Sequence, residues 1–243
     1  MSRLVVWGLV AAVVAVQIPY PLVHGTARDV LTVVTVVVFA AASATAAAVS
    51  GRWWHGVALV AVVAAGGFVA EVVGVHTGYP FGRYRYLHGL GPTAAGVPLV
   101  VPLAWVMMMQ PAIAVARRVV SSTAARIAVG AVALAAWDVF LDPQMVTAHH
   151  WRWSDPHPHL AGVADVPLSN FGGWLLVALV LVAVTQLWSR GAGADRPAVT
   201  LWVWTWLSST LANLVFFSRP AVAAWGFVAM GLVGVPLLWK TAR

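Results

Sequence analysis

The chain has 243 residues, of which 61% are hydrophobic and 9% charged, and it contains no cysteine. So apolar a composition excludes an ordinary soluble domain, and the missing thiols exclude disulfides, iron–sulfur clusters, thiolate metal sites and cysteine nucleophiles. The net charge of +7 does not point to nucleic acid, because the basic residues punctuate loops instead of clustering on one folded face.

A spanning helix needs about 20 mostly apolar residues. The chain reads as an all-α, polytopic membrane bundle, a single transmembrane domain over 1–243, with spans near 4–20, 30–50, 55–75, 95–116, 122–141, 170–189, 198–216 and 220–239. The number is eight, or seven if the last two stretches form one re-entrant element. The first stretch follows Arg3 in the manner of a secretory signal. No small-x-small cleavage site precedes Gln17-Ile18-Pro19, however, and further full-length spans follow, so it reads as a first helix.

Eight crossings sort the loops onto two sides. Arg3, Arg52, Arg117, Arg118, Arg126, Arg190, Arg196, Lys240 and Arg243 share the side of the termini, and Arg28, Arg83, Arg85, Arg152 and Arg219 lie opposite. Nine against five puts both termini of a multi-pass cell-membrane protein in the cytoplasm. The acids divide the other way. Of seven, only Asp195 lies on the side of the termini, while Asp29, Glu71, Asp138, Asp142, Asp155 and Asp165, with seven of the eight histidines, gather opposite. The loops at 76–94 and 142–169 are therefore expected to pack together over a functional end.

Three acids belong to spans. Glu71, the only glutamate, falls in the last turns of the third span; Asp138 falls in the last turns of the fifth and Asp142 at its end. A spacing of four places the two aspartates on one helical face. A charged residue inside a span costs about 2.5 to 3.5 kcal/mol on insertion scales, so it normally faces a cavity or a partner. Structural roles compete with this reading: Glu71 can pair with Arg83 or Arg85, and Asp142 before Pro143 can end its helix.

The loop Thr77-Gly-Tyr-Pro-Phe-Gly-Arg-Tyr-Arg-Tyr86 joins turn residues to aromatics and two guanidinium groups, and Trp151-Arg-Trp-Ser-Asp-Pro-His-Pro-His159 is its counterpart. About half of such rings serve only as interfacial anchors, the class to which Trp202, Trp204 and Trp206 are assigned. His149-His150 and His157-x-His159 raise the question of a metal. Neither an H-x-x-x-H nor an H-x-x-H-H box is present, so no metal is expected. The run Gly89-Leu-Gly-Pro-Thr-Ala-Ala-Gly96 lacks the lysine and the preceding strand of a phosphate loop and reads as a turn.

Glu71 with the 77–86 loop, Gly96-Val-Pro98, Pro102-Leu-Ala-Trp105, Trp137-Asp-Val-Phe-Leu-Asp-Pro143, Trp151-Arg-Trp153 and Val166-Pro-Leu-Ser-Asn-Phe-Gly-Gly-Trp174 together resemble the carotenoid-biosynthesis membrane proteins. That family includes CruF-type carotenoid 1,2-hydratases and bisanhydrobacterioruberin hydratases. The similarity covers about residues 66–175. It implies a hydro-lyase, adding water to the terminal C1=C2 double bond of an acyclic carotenoid end group to give a tertiary alcohol. It implies no cofactor, and it suggests association with other enzymes of the pathway.

An alkene offers no lone pair, so this reaction needs an acid that delivers a proton to carbon. A carboxylic acid kept neutral by burial can do so, and a positioned acid contributes about 10² to 10⁴ in rate. Asp138 is the expected donor, Glu71 or Asp142 orients water and takes its proton, and Asn170 hydrogen-bonds it. Tyr79, Arg83, Tyr84, Tyr86, Trp151, Trp153 and Trp174 complete the expected substrate site, with aromatic faces holding the tertiary cation at about 0.5 to 2 kcal/mol each. A lipid-facing apolar groove between helices three to six is expected to lead to the acids. Two alternatives stay open: another end-group reaction such as cyclisation, and a transporter or lipid-binding protein. Against the latter stand the lack of an inverted repeat and the position of the acids at one end.

Overall fold

The computed structural model describes residues 3–187 and 196–241; Arg190, Asp195 and Arg243 lie outside them. Eight α-helices follow in order: α1 (Arg3–Gln17), α2 (Thr26–Ser50), α3 (Trp53–Thr77), α4 (Val101–Val119), α5 (Thr123–Thr147), α6 (Leu168–Gln186), α7 (Arg196–Leu211) and α8 (Pro220–Thr241). A 3-10 turn, Tyr20–Leu22, follows α1, and a π turn, Ala212–Phe216, extends α7. Seven of the eight are long and apolar enough to cross a membrane. The exception is α4, whose Gln110, Pro111, Arg117 and Arg118 dilute its hydropathy. It does not need to suit lipid: it packs against α2, α3, α5, α7 and α8, and most of its residues are buried. The last two spans are separate helices and not one re-entrant element.

Val6, Ala46, Ala114 and Ala198 pack together, so the start of α1, the end of α2, the end of α4 and the start of α7 meet at one end of the bundle. Lys240 Nζ, near the end of α8, donates to Val119 O there at 2.7 Å. The opposite end carries the connections rich in acids and aromatics. There β1 (Tyr84–Tyr86) pairs antiparallel with β4 (Trp151–Trp153) in the register Tyr84 to Trp153 and Tyr86 to Trp151. The two loops expected to pack over one end are thus held by a shared ladder.

Two boundaries differ from the hydropathy reading for local reasons. The stretch at 95–100 is apolar, but β2 (Thr93–Ala94) and β3 (Val97–Pro98) form a hairpin there. Its two loop residues, Ala95 and Gly96, have φ of 49° and 81°, the twin positive angles that such a tight turn demands. Helix α4 therefore starts only at Val101. Conversely, α5 runs through Pro143 to Thr147 instead of ending beside Asp142. A proline inside a span is tolerated where neighbouring groups satisfy the freed backbone. The last connection of this end, β5 (His159–Leu160) with β6 (Val163–Pro167), leads directly into α6.

A buried cluster of carboxyls and aromatic rings

Gly67, Glu71 and Gly74 fall at steps of four and three, on one face of α3. The glycines make room for what meets Glu71. A Cβ on Gly67 would lie 2.7 Å from Trp105 Cδ1, and one on Gly74 would lie 2.8 Å from the Tyr84 hydroxyl oxygen. Into that space come three donors. Tyr84 Oη donates to Glu71 Oε2 at 2.5 Å, Tyr86 Oη to the same oxygen at 2.8 Å, and Trp105 Nε1 to Oε1 at 3.2 Å. The partners are therefore aromatic and not Arg83 or Arg85, because strand alternation sends those two arginines outward to exposed positions while Tyr84 and Tyr86 point in. Burial, and then the Glu71 carboxyl, push both tyrosine hydroxyls well above the ordinary phenol value.

The second group is built on α5 and α6. Asp138 and Asp142 share the Asn170 side-chain amide, whose Nδ2 donates to Asp138 Oδ2 at 2.7 Å and also to Asp142 Oδ2. Trp151 Nε1, delivered by β4, donates to Asp142 Oδ1 at 3.1 Å. The relative exposures of Glu71, Asp138, Asp142 and Asn170 are 4%, 0%, 2% and 2%, so all four are interior groups. Asp138 Oδ1 is buried with no hydrogen-bond partner among the described residues.

The two groups face one cavity of about 50 Å³. A water needs roughly 10 to 15 Å³ of such space, so the cavity has room for a few. Glu71 and Asp142 both border it, with Tyr84, Tyr86, Trp151, Trp153, Asn170 and Trp174. Asp138 does not; it is sealed one helical turn deeper, behind the Asn170 amide. Trp174 stacks on Trp105 with centroids 3.9 Å apart and meets Trp137 edge-on at 6.1 Å. Tyr84 and Tyr86 lie 5.7 and 5.6 Å from Trp153 and Trp151, respectively.

A larger cavity of about 440 Å³ lies alongside. Thr32, Val36, Leu141 and Met145 line both, so they form the partition between the two. This space is bounded by the end of α1, by α2, α4 and α5, and by α7 with its π turn, whereas the expected groove lay between helices three to six. The cause is α4, which fills the centre of the bundle and leaves the open volume on its other flank. Among the wall residues, Ile18, Leu22, Leu211 and Phe216 are exposed on the outer surface, so the cavity meets the lipid-facing side.

Of the residues singled out from sequence, Tyr84, Tyr86, Trp151, Trp153, Asn170 and Trp174 converge with the acids. Two do not. Tyr79 follows the left-handed Gly78 cap of α3 and is 66% exposed, and Arg83 points away on the outer face of the loop. Trp105 and Trp137 received no role from sequence, although both stand in the quoted blocks; the signal for Trp105 was the pair of glycines flanking Glu71. Thr32, Val36 and Tyr20 come from segments outside 66–175.

Comparison with known proteins finds a family and a relative to which this chain is similar. A family described as "Carotenoid biosynthesis protein" matches residues 31–239. A bisanhydrobacterioruberin hydratase from Haloarcula japonica is 31% identical over 146 residues, which cover 58% of this chain and 48% of that protein. The chain thus spans about half the length of that relative. No solved structure matches.

Proposed function

We propose, for a chain that belongs to the carotenoid biosynthesis protein family, the acid-catalysed addition of water to the terminal C1=C2 bond of an acyclic carotenoid end group. The observation that carries this reading is the placing of two carboxyls, Glu71 and Asp142, on one water-sized, aromatic-walled cavity beside a larger apolar one that meets lipid. The relative named a hydratase supports the same chemistry.

On this reading the Asp138–Asp142 pair supplies the proton, and Asp142 presents it because Asp142 borders the cavity. The proton goes to C2, the π electrons form the new C–H bond, and C1 becomes a tertiary cation. Trp174, Trp151 and the tyrosine rings, which border the cavity, stabilise that cation by about 0.5 to 2 kcal/mol per well-placed face. A water held by Glu71 attacks C1 and gives its extra proton to the carboxylate. That proton then returns through the cavity's water to the aspartate pair, so the net change is the gain of one water. Asp138 is a positioning residue, holding Asn170 and through it Asp142. The larger cavity receives the polyene, its volume falling in the range of roughly 300 to 1,000 Å³ usual for small-molecule sites. The bias of basic residues supports cytoplasmic termini, which puts this chemistry at the outer end of the bundle.

The test is expression in a cell that accumulates acyclic carotenoids, with mass analysis of the pigments. Hydration adds the mass of one water for each end that reacts. Cyclisation leaves the mass unchanged, and that result, or an unaltered pigment from a cell with abundant protein, would remove the hydratase reading.

A further inference from the structure

We propose that Arg28 and Arg219 form a binding site for the phosphate group of an anionic phospholipid at the mouth of the larger cavity. Arg28 stands in the first turn of α2, and Arg219 is the residue before α8. Their guanidinium carbons lie 5.5 and 5.3 Å from the centroid of the same ring, that of Phe217, and Arg28 also sits 5.8 Å from the Tyr20 ring. Tyr20 and Phe217 meet edge to face at 6.4 Å, and both line the cavity.

Two cations share this aromatic cradle, and among the described residues no carboxylate is within ion-pair distance of either. The adjacent acid in the same turn, Asp29, is turned instead toward His150. Arg28 Nε donates to Val23 O at 2.8 Å, which fixes its plane. Arg219 Nη1 is buried and has no acceptor among the described residues. A buried charged donor with nothing to bond is costly. Burial and the charge of Arg28 both weaken the hold of Arg219 on its proton, while Tyr20 and Asp165 act in the opposite sense. A tetrahedral phosphate answers each need at once: its oxygens accept forked N–H bonds from both guanidinium groups and neutralise their mutual repulsion.

The surroundings select a lipid as the source of that phosphate. Ile18, Leu22 and Phe216, on the wall of the same cavity, are 59%, 64% and 49% exposed, an apolar rim that water does not favour. An anion bound there has apolar contact for its tail and lies at the level where interfacial aromatics meet headgroups. This site is separate from the carboxyl cluster, so its fate does not depend on the hydratase reading.

The test uses the full-length protein purified in detergent, with native mass spectrometry after addition of phosphatidylglycerol or phosphatidylcholine of identical acyl chains, and a third arm with inorganic phosphate alone. Both lipids offer the same phosphodiester to the forked donors, but the two guanidinium groups repel the choline ammonium, which implies a preference for phosphatidylglycerol of about tenfold or more. The preference should fall to near unity in Arg28→Gln/Arg219→Gln and persist in Arg85→Gln, whose arginine lies exposed on the other loop. Arg28→Lys/Arg219→Lys keeps the charge without the fork and should retain part of it, which serves as the test if the glutamine variant fails to fold. Equal retention of the two lipids by the unaltered protein, or an undiminished preference in the folded glutamine variant, overturns the proposal. Saturation by inorganic phosphate without retention of phosphatidylglycerol would reassign the site to a soluble anion and overturn the lipid assignment.

Discussion

Replacing Asp142 by asparagine separates proton delivery from packing. The carboxyl now accepts from Trp151 Nε1 at 3.1 Å on one oxygen and from Asn170 Nδ2 on the other. An amide of the same size keeps one oxygen and gains an NH2, so whichever way it turns, either Trp151 or Asn170 faces a donor. One buried donor left unmatched costs about 1 to 3 kcal/mol, which is tolerable against the roughly 5 to 15 kcal/mol that keeps a typical domain folded. Catalysis fares worse, because an amide has no proton acidic enough for an alkene. The expected loss is at least the roughly 10² to 10⁴ of a positioned acid, about 3 to 5 kcal/mol of barrier. Asp142→Glu, with its carboxyl displaced by one methylene, should keep a trace of activity. The assay is the ratio of hydrated to unhydrated pigment in cells, with protein level measured in parallel. An Asp142→Asn protein that accumulates normally and hydrates in the usual proportion refutes Asp142 as the donor. In that case Asp138→Asn, expected otherwise to lower the ratio only in part, becomes the decisive variant.

Leu141→Trp, which thickens the partition between the two cavities, should block product formation while leaving protein abundance close to normal; undiminished product would mean that the substrate takes another route. Gly67→Ala places a Cβ 2.7 Å from Trp105 Cδ1, displacing the indole that binds Glu71, and should lower thermal stability by about 1 to 3 kcal/mol. For Tyr84 and Tyr86 the folded state raises the ionisation above the unfolded value of 10.0, so the unfolded chain sheds protons first. Their contribution to stability is therefore complete below about pH 10 and is lost as pH rises beyond it. Melting temperatures against pH should show this alkaline decline, and Tyr84→Phe/Tyr86→Phe should flatten it.

Hydropathy is legible because lipid imposes it: seven helices are long and apolar enough to cross a membrane. The start of α4 was not, since the apolar 95–100 stretch is a hairpin fixed by two positive φ angles and α4 itself, enclosed by other helices, is released from the lipid constraint. Strand pairing decided the partners of Glu71. A three-residue alternation turns Tyr84 and Tyr86 in and Arg85 out, whereas proximity in sequence suggested arginines. The pairing of Asp138 with Asp142 was readable from a spacing of four, but which of them borders a cavity depends on where Asn170 arrives from α6. An apolar groove was expected, but its place was beyond reach of sequence, because α1, α2 and α7 join α4 and α5 in its wall and their residues carry no periodic mark of it.

The partition bears on why a hydratase would differ from a cyclase. Both reactions begin with the same tertiary cation, and the outcome depends on what meets C1 before a proton is lost. In the proposed arrangement the polyene waits in the larger cavity and water in the smaller, with only Thr32, Val36, Leu141 and Met145 between them. The methionine is unbranched and flexible, suited to yielding when an end group pushes through. Entry of the end group into the smaller cavity then brings the alkene against Asp142 and leaves water trapped on the Glu71 side. There three donors hold the carboxylate in place while it aligns the nucleophile. On this proposal a folded-back chain, which ring closure needs, would have to share about 50 Å³ with that water, so the shape of the cavity favours capture by water and requires no faster intrinsic step.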